Sequence, residues 1–122
     1  MHILLVEDDL MVQQVCLGML RLLGHSSTVV NNAIDAVERL TAALQEFDLV
    51  ILDNGLPGLS GMELFAILRE WKISIPVILI SGSRLVPEAN GLIEESSHFQ
   101  FLAKPFTFAE LRSAIERSQS RT

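Results

Sequence analysis

The chain has a single cysteine, Cys16, so an internal disulfide is excluded. That fits a reducing compartment, and a cytoplasmic location is the expectation. No apolar run approaches the roughly 18 residues that a membrane-crossing helix needs, so no membrane insertion is expected. The N-terminus lacks a basic region leading into a signal-type segment, and export is not expected. Positive charge is scarce, with nine Lys and Arg against fifteen Asp and Glu and a net charge of -6. Such a surface does not suit a phosphate backbone, so direct nucleic-acid binding is not expected. No repeat or low-complexity tract occurs, and only residues 118–122 read as a frayed polar tail. The 122 residues have ordinary apolar content, enough for one domain, residues 1–122, with one core.

Five short apolar runs alternate with amphipathic stretches. Residues 2–6 form the first strand-length run, and Glu7-Asp8-Asp9 follows at its exit. Val12, Val15, Cys16, Met19, Leu20 and Leu23 then recur at helical spacing, with Gly24 as a stop. Cys16 on that stripe reads as a packed core thiol. Residues 27–30 make a second strand, and Asn31 or Asn32 can cap a helix with Ala33, Ala36, Val37, Leu40 and Leu44 inward. Residues 48–52 make the third strand. Ser60-Gly61-Met62-Glu63 then has capping-box form ahead of Leu64, Phe65 and Leu68. Residues 77–80 make the fourth strand. A helix with Pro87 in its first turn and Ala89, Leu92 and Ile93 inward is weakened by Gly91. Residues 99–103 make the fifth strand, and Thr107-Phe108-Ala109-Glu110 caps a last helix with Phe108, Leu111 and Ile115 inward. Such alternation builds a parallel sheet covered by helices on both faces. A flavodoxin-like (βα)5 arrangement in order 2-1-3-4-5 is the expectation, with all strand C-terminal ends at one edge.

That edge collects chemistry. Glu7 and Asp8 leave the first strand, Asp53 the third, Ser81 the fourth and Lys104 the fifth. Three carboxylates brought together repel one another strongly, and an all-oxygen set suits a hard divalent cation, Mg²⁺ or Mn²⁺. Lys104 offsets part of the acid charge and is able to hold a phosphoryl oxygen. A carboxylate, a metal, an ammonium and a hydroxyl are what phosphoryl transfer to an aspartate requires. Taken alone, Asp53 would be a turn residue, Glu7-Asp8-Asp9 a solvated rim, and Lys104 a surface lysine.

Four segments carry a resemblance: Val6-Glu7-Asp8, Leu52-Asp53-Asn54-Gly55-Leu56-Pro57-Gly58-Leu59-Ser60-Gly61, Ile80-Ser81-Gly82 and Lys104-Pro105-Phe106. With them in this order, the chain resembles, over essentially its whole length, a CheY-like receiver domain of the two-component response-regulator family. The resemblance implies that Asp53 is the phosphoacceptor, taking a phosphoryl group from a histidine kinase or histidine phosphotransfer domain. It implies Mg²⁺ on Asp8 and Asp53, with Glu7 acting through water and the Gly55 backbone carbonyl completing the protein ligands. Lys104 would pair with the phosphoryl oxygens across a cis Lys104-Pro105 bond. Ser81 would swing toward them, and Phe101, by itself a core aromatic, would turn inward as a switch. Gly55 and Ser83 would tune the lifetime of the phosphoryl group. A phosphorylation-dependent homodimer would use the face of the fourth helix, fifth strand and fifth helix. Partner docking is expected at Leu10, Met11, Gln14, Pro105 and Phe106, although helix-end packing would equally explain Leu10 and Met11.

The chain departs from the family pattern at several positions. Serine stands at 81 where threonine is frequent, and glycine at 82 where alanine is. Ser96-Ser97-His98-Phe99 replaces a common Gly-Ala-Asp-Asp. His2, His25 and His98 match no family site and read as surface or turn residues. Rival readings are a receiver excised from a hybrid histidine kinase, a scaffold that has lost phosphorylation, a flavodoxin, and a Mg²⁺-dependent aspartyl phosphatase. The phosphatase would need a second acid where Gly55 stands. The flavodoxin phosphate would meet Glu7-Asp8-Asp9. The scaffold is disfavoured by the complete acid, hydroxyl and lysine set.

Overall fold

The computed structural model describes residues 1–56, 58–82 and 98–119. Its strands are β1 (His2–Val6), β2 (Ser26–Val30), β3 (Leu49–Asp53), β4 (Val77–Ser81) and β5 (Phe99–Ala103). They form one parallel sheet in the order β2-β1-β3-β4-β5, the flavodoxin-like order expected from the alternation. The helices are α1 (Leu10–Leu22), α2 (Ala33–Ala43), α3 (Gly61–Glu70) and a C-terminal helix (Phe108–Ser118), with a short 3-10 turn at Leu44–Glu46. The helix expected around Pro87, Ala89, Gly91, Leu92 and Ile93, together with Ser83, lies outside the described residues.

β1, β3 and β4 are apolar along their buried interiors because both faces of the sheet are covered. β2 at the edge carries Ser26, Ser27 and Thr28, and β5 carries the buried Gln100. Ile3, Leu5, Leu49, Ile51, Ile78 and Ile80 pack with Cys16 and Leu20 of α1 and with Leu111, Ala114 and Ile115 of the C-terminal helix. The alternate residues Leu4, Val6, Val50, Leu52, Val77 and Leu79 pack with Ala36 and Leu40 of α2 and Leu64, Phe65 and Leu68 of α3. Each fully buried Leu or Ile contributes about 1.5–3 kcal/mol relative to leaving it exposed.

Several local expectations are corrected. β3 starts one residue late because Asp48 closes the strand entry, its carboxylate accepting the His2 backbone N–H at 2.8 Å. Asp53 is thus the last ladder residue, paired with Ile80. Val15, placed on the buried stripe, is 53 % exposed. The rest of the expected stripe holds, with Cys16 and Leu20 buried and Val12, Met19 and Leu23 packed against the core, and Gln13 joins it. Asn32, not Asn31, caps α2, accepting from the Asp35 amide. His2 is no ordinary surface histidine. Its ring nitrogens meet the Ser26 and Thr28 hydroxyls at 2.7 and 2.8 Å, and its ring stacks on Phe47, clasping β2 to β1. Ser118, assigned to a frayed tail, is buried in the last helical turn and donates its hydroxyl proton to the Ile115 carbonyl. Phe108 is only half-buried.

α3 approaches the end of β3 closely. A Cβ at Gly61 would stand 2.7 Å from Leu79 Cδ1, 2.9 Å from Asn54 Cα and 2.9 Å from the Asp53 carbonyl oxygen. Two of those neighbours are backbone and cannot rotate away. Gly61→Ala should therefore lose about 1–3 kcal/mol from overpacking, outweighing the roughly 1 kcal/mol that alanine gains in a helix. Urea unfolding measures this, and a midpoint at or above that of the wild type contradicts the close approach.

Candidate functional site

Side chains alternate along a strand, so Glu7 follows the parity of Ile3 and Leu5, and Asp53 that of Leu49 and Ile51. The β1–β3 register pairs Val6 with Leu52 and sets the two carboxylates side by side at the C-terminal edge. Glu7 is 1 % exposed and Asp53 5 %. Asp8 is exposed, yet its carboxylate completes a cluster in which oxygens of Glu7, Asp8 and Asp53 lie within 4.8 Å of one another. Lys104 reaches in from the end of β5. Its Nζ stands 3.0 Å from Asp53 Oδ1 and 3.5 Å from Glu7 Oε1. The Lys104 backbone N–H donates to the Ser81 carbonyl at 2.8 Å, keeping the β5 exit in step with β4. The Lys104–Pro105 peptide is cis.

These residues line a cleft of about 770 Å³ together with Asp9, Leu10, Met11, Asn54, Gly55, Ser81 and Gly82. Gly55 lies against the carboxylate, since a Cβ there would stand 3.5 Å from Asp53 Oδ2. Ser81 is buried at the end of β4. Phe101 is half-buried on β5, edge-on to Phe99 at 4.9 Å and packed against the α3-side core. Asp9 stays out of the acid cluster because its carboxylate caps α1, accepting from the Met11 and Val12 amides.

The electrostatics follow from burial. Desolvation raises the Glu7 carboxyl above its ordinary value, and Asp53 adds to the rise, against opposing contributions from the Asp9 amide and Lys104. Burial alone would lower the Lys104 ammonium, but the hydrogen bond and charge of Asp53, followed by Glu7, leave it raised. Cys16, beneath the site, is pushed up to about 11 by burial, with Glu7 adding to the rise. It is a core thiol rather than a nucleophile. Three carboxylates and one ammonium leave two negative charges, the charge that one divalent cation neutralises. The donors are all oxygen and sit at an open cleft, so they fit Mg²⁺.

Sequence reasoning missed three residues that build this site. Gln13 donates its amide to the Glu7 carbonyl at 2.6 Å and to Asn31 Oδ1 at 3.0 Å. Asn54 accepts the Met62 N–H at 3.0 Å, tying the start of α3 to the residue after Asp53. A polar residue at a strand exit is the only signal for Asn54 or Asn31, and a turn produces the same signal. Gln13 does sit at the spacing of Cys16 and Leu20, which marks it as buried.

A family model described as response regulator receiver domain matches residues 3–116. The response regulator protein PmrA of Pseudomonas aeruginosa is 34% identical over 123 residues, covering 100% of this chain and 54% of that protein. Transcription factor SKN7 of Saccharomyces cerevisiae is 32% identical over 116 residues, which cover 95% of this chain and 18% of that protein. The chain thus spans about half the length of PmrA. A solved receiver domain of the sensor histidine kinase PA1611 from Pseudomonas aeruginosa PAO1 carries a magnesium ion in its active-site cleft. It superposes with a TM-score of 0.78 at 33% identity, covering 95% of this chain and 94% of that one.

The burial of Glu7 has a consequence for stability without divalent metal. Its folded-state affinity for a proton is raised, so the stabilising contribution is complete below the ordinary 4.5 and is lost as pH climbs through the folded value. Glu7→Gln should therefore gain stability relative to wild type as pH rises from 4.5 toward 7, with no difference in slope below that window. Urea titrations in EDTA across the range measure it, and parallel curves contradict the assignment.

Proposed function

The chain belongs to the response-regulator receiver-domain family, and from that premise we propose that Asp53 accepts a phosphoryl group from the phosphohistidine of a histidine kinase or histidine phosphotransfer domain. The observation that carries this is the Asp53 carboxylate at the lip of an open cleft, paired to Lys104 at 3.0 Å and crowded by Glu7 and Asp8. An Asp53 oxygen attacks phosphorus, the P–N bond breaks, and the imidazole leaves with its electron pair. Asp8, Asp53, the Gly55 carbonyl and, through water, Glu7 would hold Mg²⁺ or Mn²⁺. The bound ion supplies charge neutralisation for the transferring phosphoryl oxygens. Lys104 pairs with one of those oxygens, and the Ser81 hydroxyl moves to bond another. These moves bias the ends of β4 and β5, and Phe101 with them, toward a second arrangement. Partner affinity then changes on the face that includes β5 and the C-terminal helix, where a homodimer would also form. Hydrolysis of the acyl phosphate resets the domain.

The chain is in this reading a signalling module rather than an enzyme acting on outside substrates, and a cytoplasmic location follows. Aspartyl phosphatase chemistry lacks its second acid, because Gly55 stands there. A free-standing regulator and a receiver from a hybrid kinase would share this chemistry. Docking of the donor would use the rim of the cleft. Leu10 is 68 % and Met11 78 % exposed, Gln14 and Pro105 are exposed, and Phe106 is half-buried. Exposed apolar residues at such an edge suit a protein interface.

With Mg²⁺ and acetyl phosphate, intact mass should show one phosphoryl group on wild type and none on Asp53→Asn. Lys104→Met should slow labelling by about 10²–10³-fold, the loss typical of one charge-stabilising donor. Unmodified wild type under these conditions sinks the proposal. Gln14→Ala, at an exposed position that does not line the cleft, should leave acetyl phosphate labelling unchanged but slow transfer from a phosphohistidine domain by about tenfold, as loss of an interface contact worth more than about 1 kcal/mol predicts. Equal slowing with both donors would place Gln14 in the fold rather than the interface.

A further inference from the structure

α1 buries Gln13, Cys16 and Leu20, and of these only Gln13 carries an amide. A buried amide is costly unless bonded, and an unbranched apolar side chain would fill the space without that demand. What the amide holds is therefore informative. Its Nε2 donates to the Glu7 carbonyl at 2.6 Å and to Asn31 Oδ1 at 3.0 Å.

The Glu7 carbonyl belongs to the peptide that joins Glu7 to Asp8. A peptide unit is planar, so fixing the direction of its carbonyl fixes ψ of Glu7 and with it the position of the Asp8 nitrogen and Cα. With the Asp9 N–H held on Glu7 Oε2 beyond it, that position sets where the Asp8 side chain starts from. Glu7 is anchored at its other ends, its N–H donating to the Val30 carbonyl at 3.1 Å and its Oε2 accepting from the Asp9 N–H at 3.1 Å. Asp8 is exposed, so packing does not orient it, yet its carboxylate stands within the cluster. Asn31 in turn holds the Gln13 amide from the exit of β2. It is available for this because Asn32 takes the capping role for α2.

We infer that Gln13, held by Asn31, is a positioning residue for the divalent-cation site: it fixes the Glu7–Asp8 peptide and thereby aims Asp8 at Asp53. This rests on the cation reading given under Proposed function. Groups that orient metal ligands are typically worth about 10–100-fold in affinity.

The test is isothermal titration of the full chain with Mg²⁺ alone, run beside thermal melts. Gln13→Met keeps the bulk and removes both donors, and should weaken Mg²⁺ binding by about tenfold. Asn31→Ala should weaken it less, and Asn31→Asp, which keeps an acceptor for Gln13, should bind like wild type. The half-saturating Mg²⁺ for acetyl phosphate labelling should shift with the measured affinity, while the rate at saturating Mg²⁺ stays within about twofold of wild type, because the ligands themselves are intact. A lowered melting temperature with unchanged Mg²⁺ affinity overturns the inference. If Gln13→Met does not fold, the Asn31 pair decides, and equal affinity in Asn31→Ala and wild type overturns it. Mg²⁺ binding that follows these expectations in a protein that acetyl phosphate never labels would sink the phosphoacceptor reading and leave this one standing.

Discussion

Carboxylates of like charge are held together at the edge of a sheet, and most of the site follows from that. Two unit charges 4 Å apart interact with about 4 kcal/mol at the effective dielectric of a protein surface. The oxygens of Glu7, Asp8 and Asp53 lie within 4.8 Å of one another, two of them on buried residues. Lys104 answers part of this through contacts of 3.0 and 3.5 Å. The remainder is stored as affinity for positive charge, and the Glu7 carboxyl, raised first by burial, is raised further by the charge of Asp53. An edge built this way is costly alone and becomes favourable when a cation enters.

The fold holds these groups in place by fixing backbone rather than by packing side chains. The ladder brings Glu7 and Asp53 to the same face at the same height. Beyond the last ladder residue, hydrogen bonds from side chains take over. Gln13 holds the Glu7 carbonyl, Asn54 holds the start of α3, and Asp9 turns its own carboxylate into the α1 cap. Gly61 lets α3 sit directly against the Asp53 carbonyl. The described turns after β1 and β3 are thereby tied to the strand before and the helix after them.

Much of this was legible in the sequence, and the reasons differ by residue. The central strands β1, β3 and β4 read as apolar runs and the strand–helix alternation placed β2 and β5 beside them, and the strand exits pointed to Glu7, Asp8, Asp53, Ser81 and Lys104. Capping chemistry is local, so Ser60 and Thr107 were placed from four residues each. Val15 failed because hydrophobicity was taken for burial, when the valine lies on the solvent side and a glutamine two residues earlier on the buried side. Asn31 and Asn32 were indistinguishable because either geometry suits a cap, and the choice depends on Gln13 from another element. His2 was misread for the same reason, since its partners Ser26 and Thr28 sit on a strand that only tertiary pairing brings near.

The same ties bear on how a group arriving at Asp53 would be felt elsewhere in the domain. Lys104 carries a long side chain that is 26 % exposed, and it divides its ammonium between two carboxylates. In the proposed reaction it must give up part of that arrangement to meet a phosphoryl oxygen. Its backbone N–H is bonded to the Ser81 carbonyl, so the β5 exit and the end of β4 shift together or not at all. Phe101 sits three residues before Lys104 on the same strand, packed edge-on to Phe99. In that reaction a displacement that begins with one ammonium would reach an aromatic side chain along β5. A ligand shifts such an equilibrium only by the difference in its contacts between the two arrangements. Here that difference would come from the phosphoryl oxygens that Lys104 and Ser81 meet in the proposed reaction.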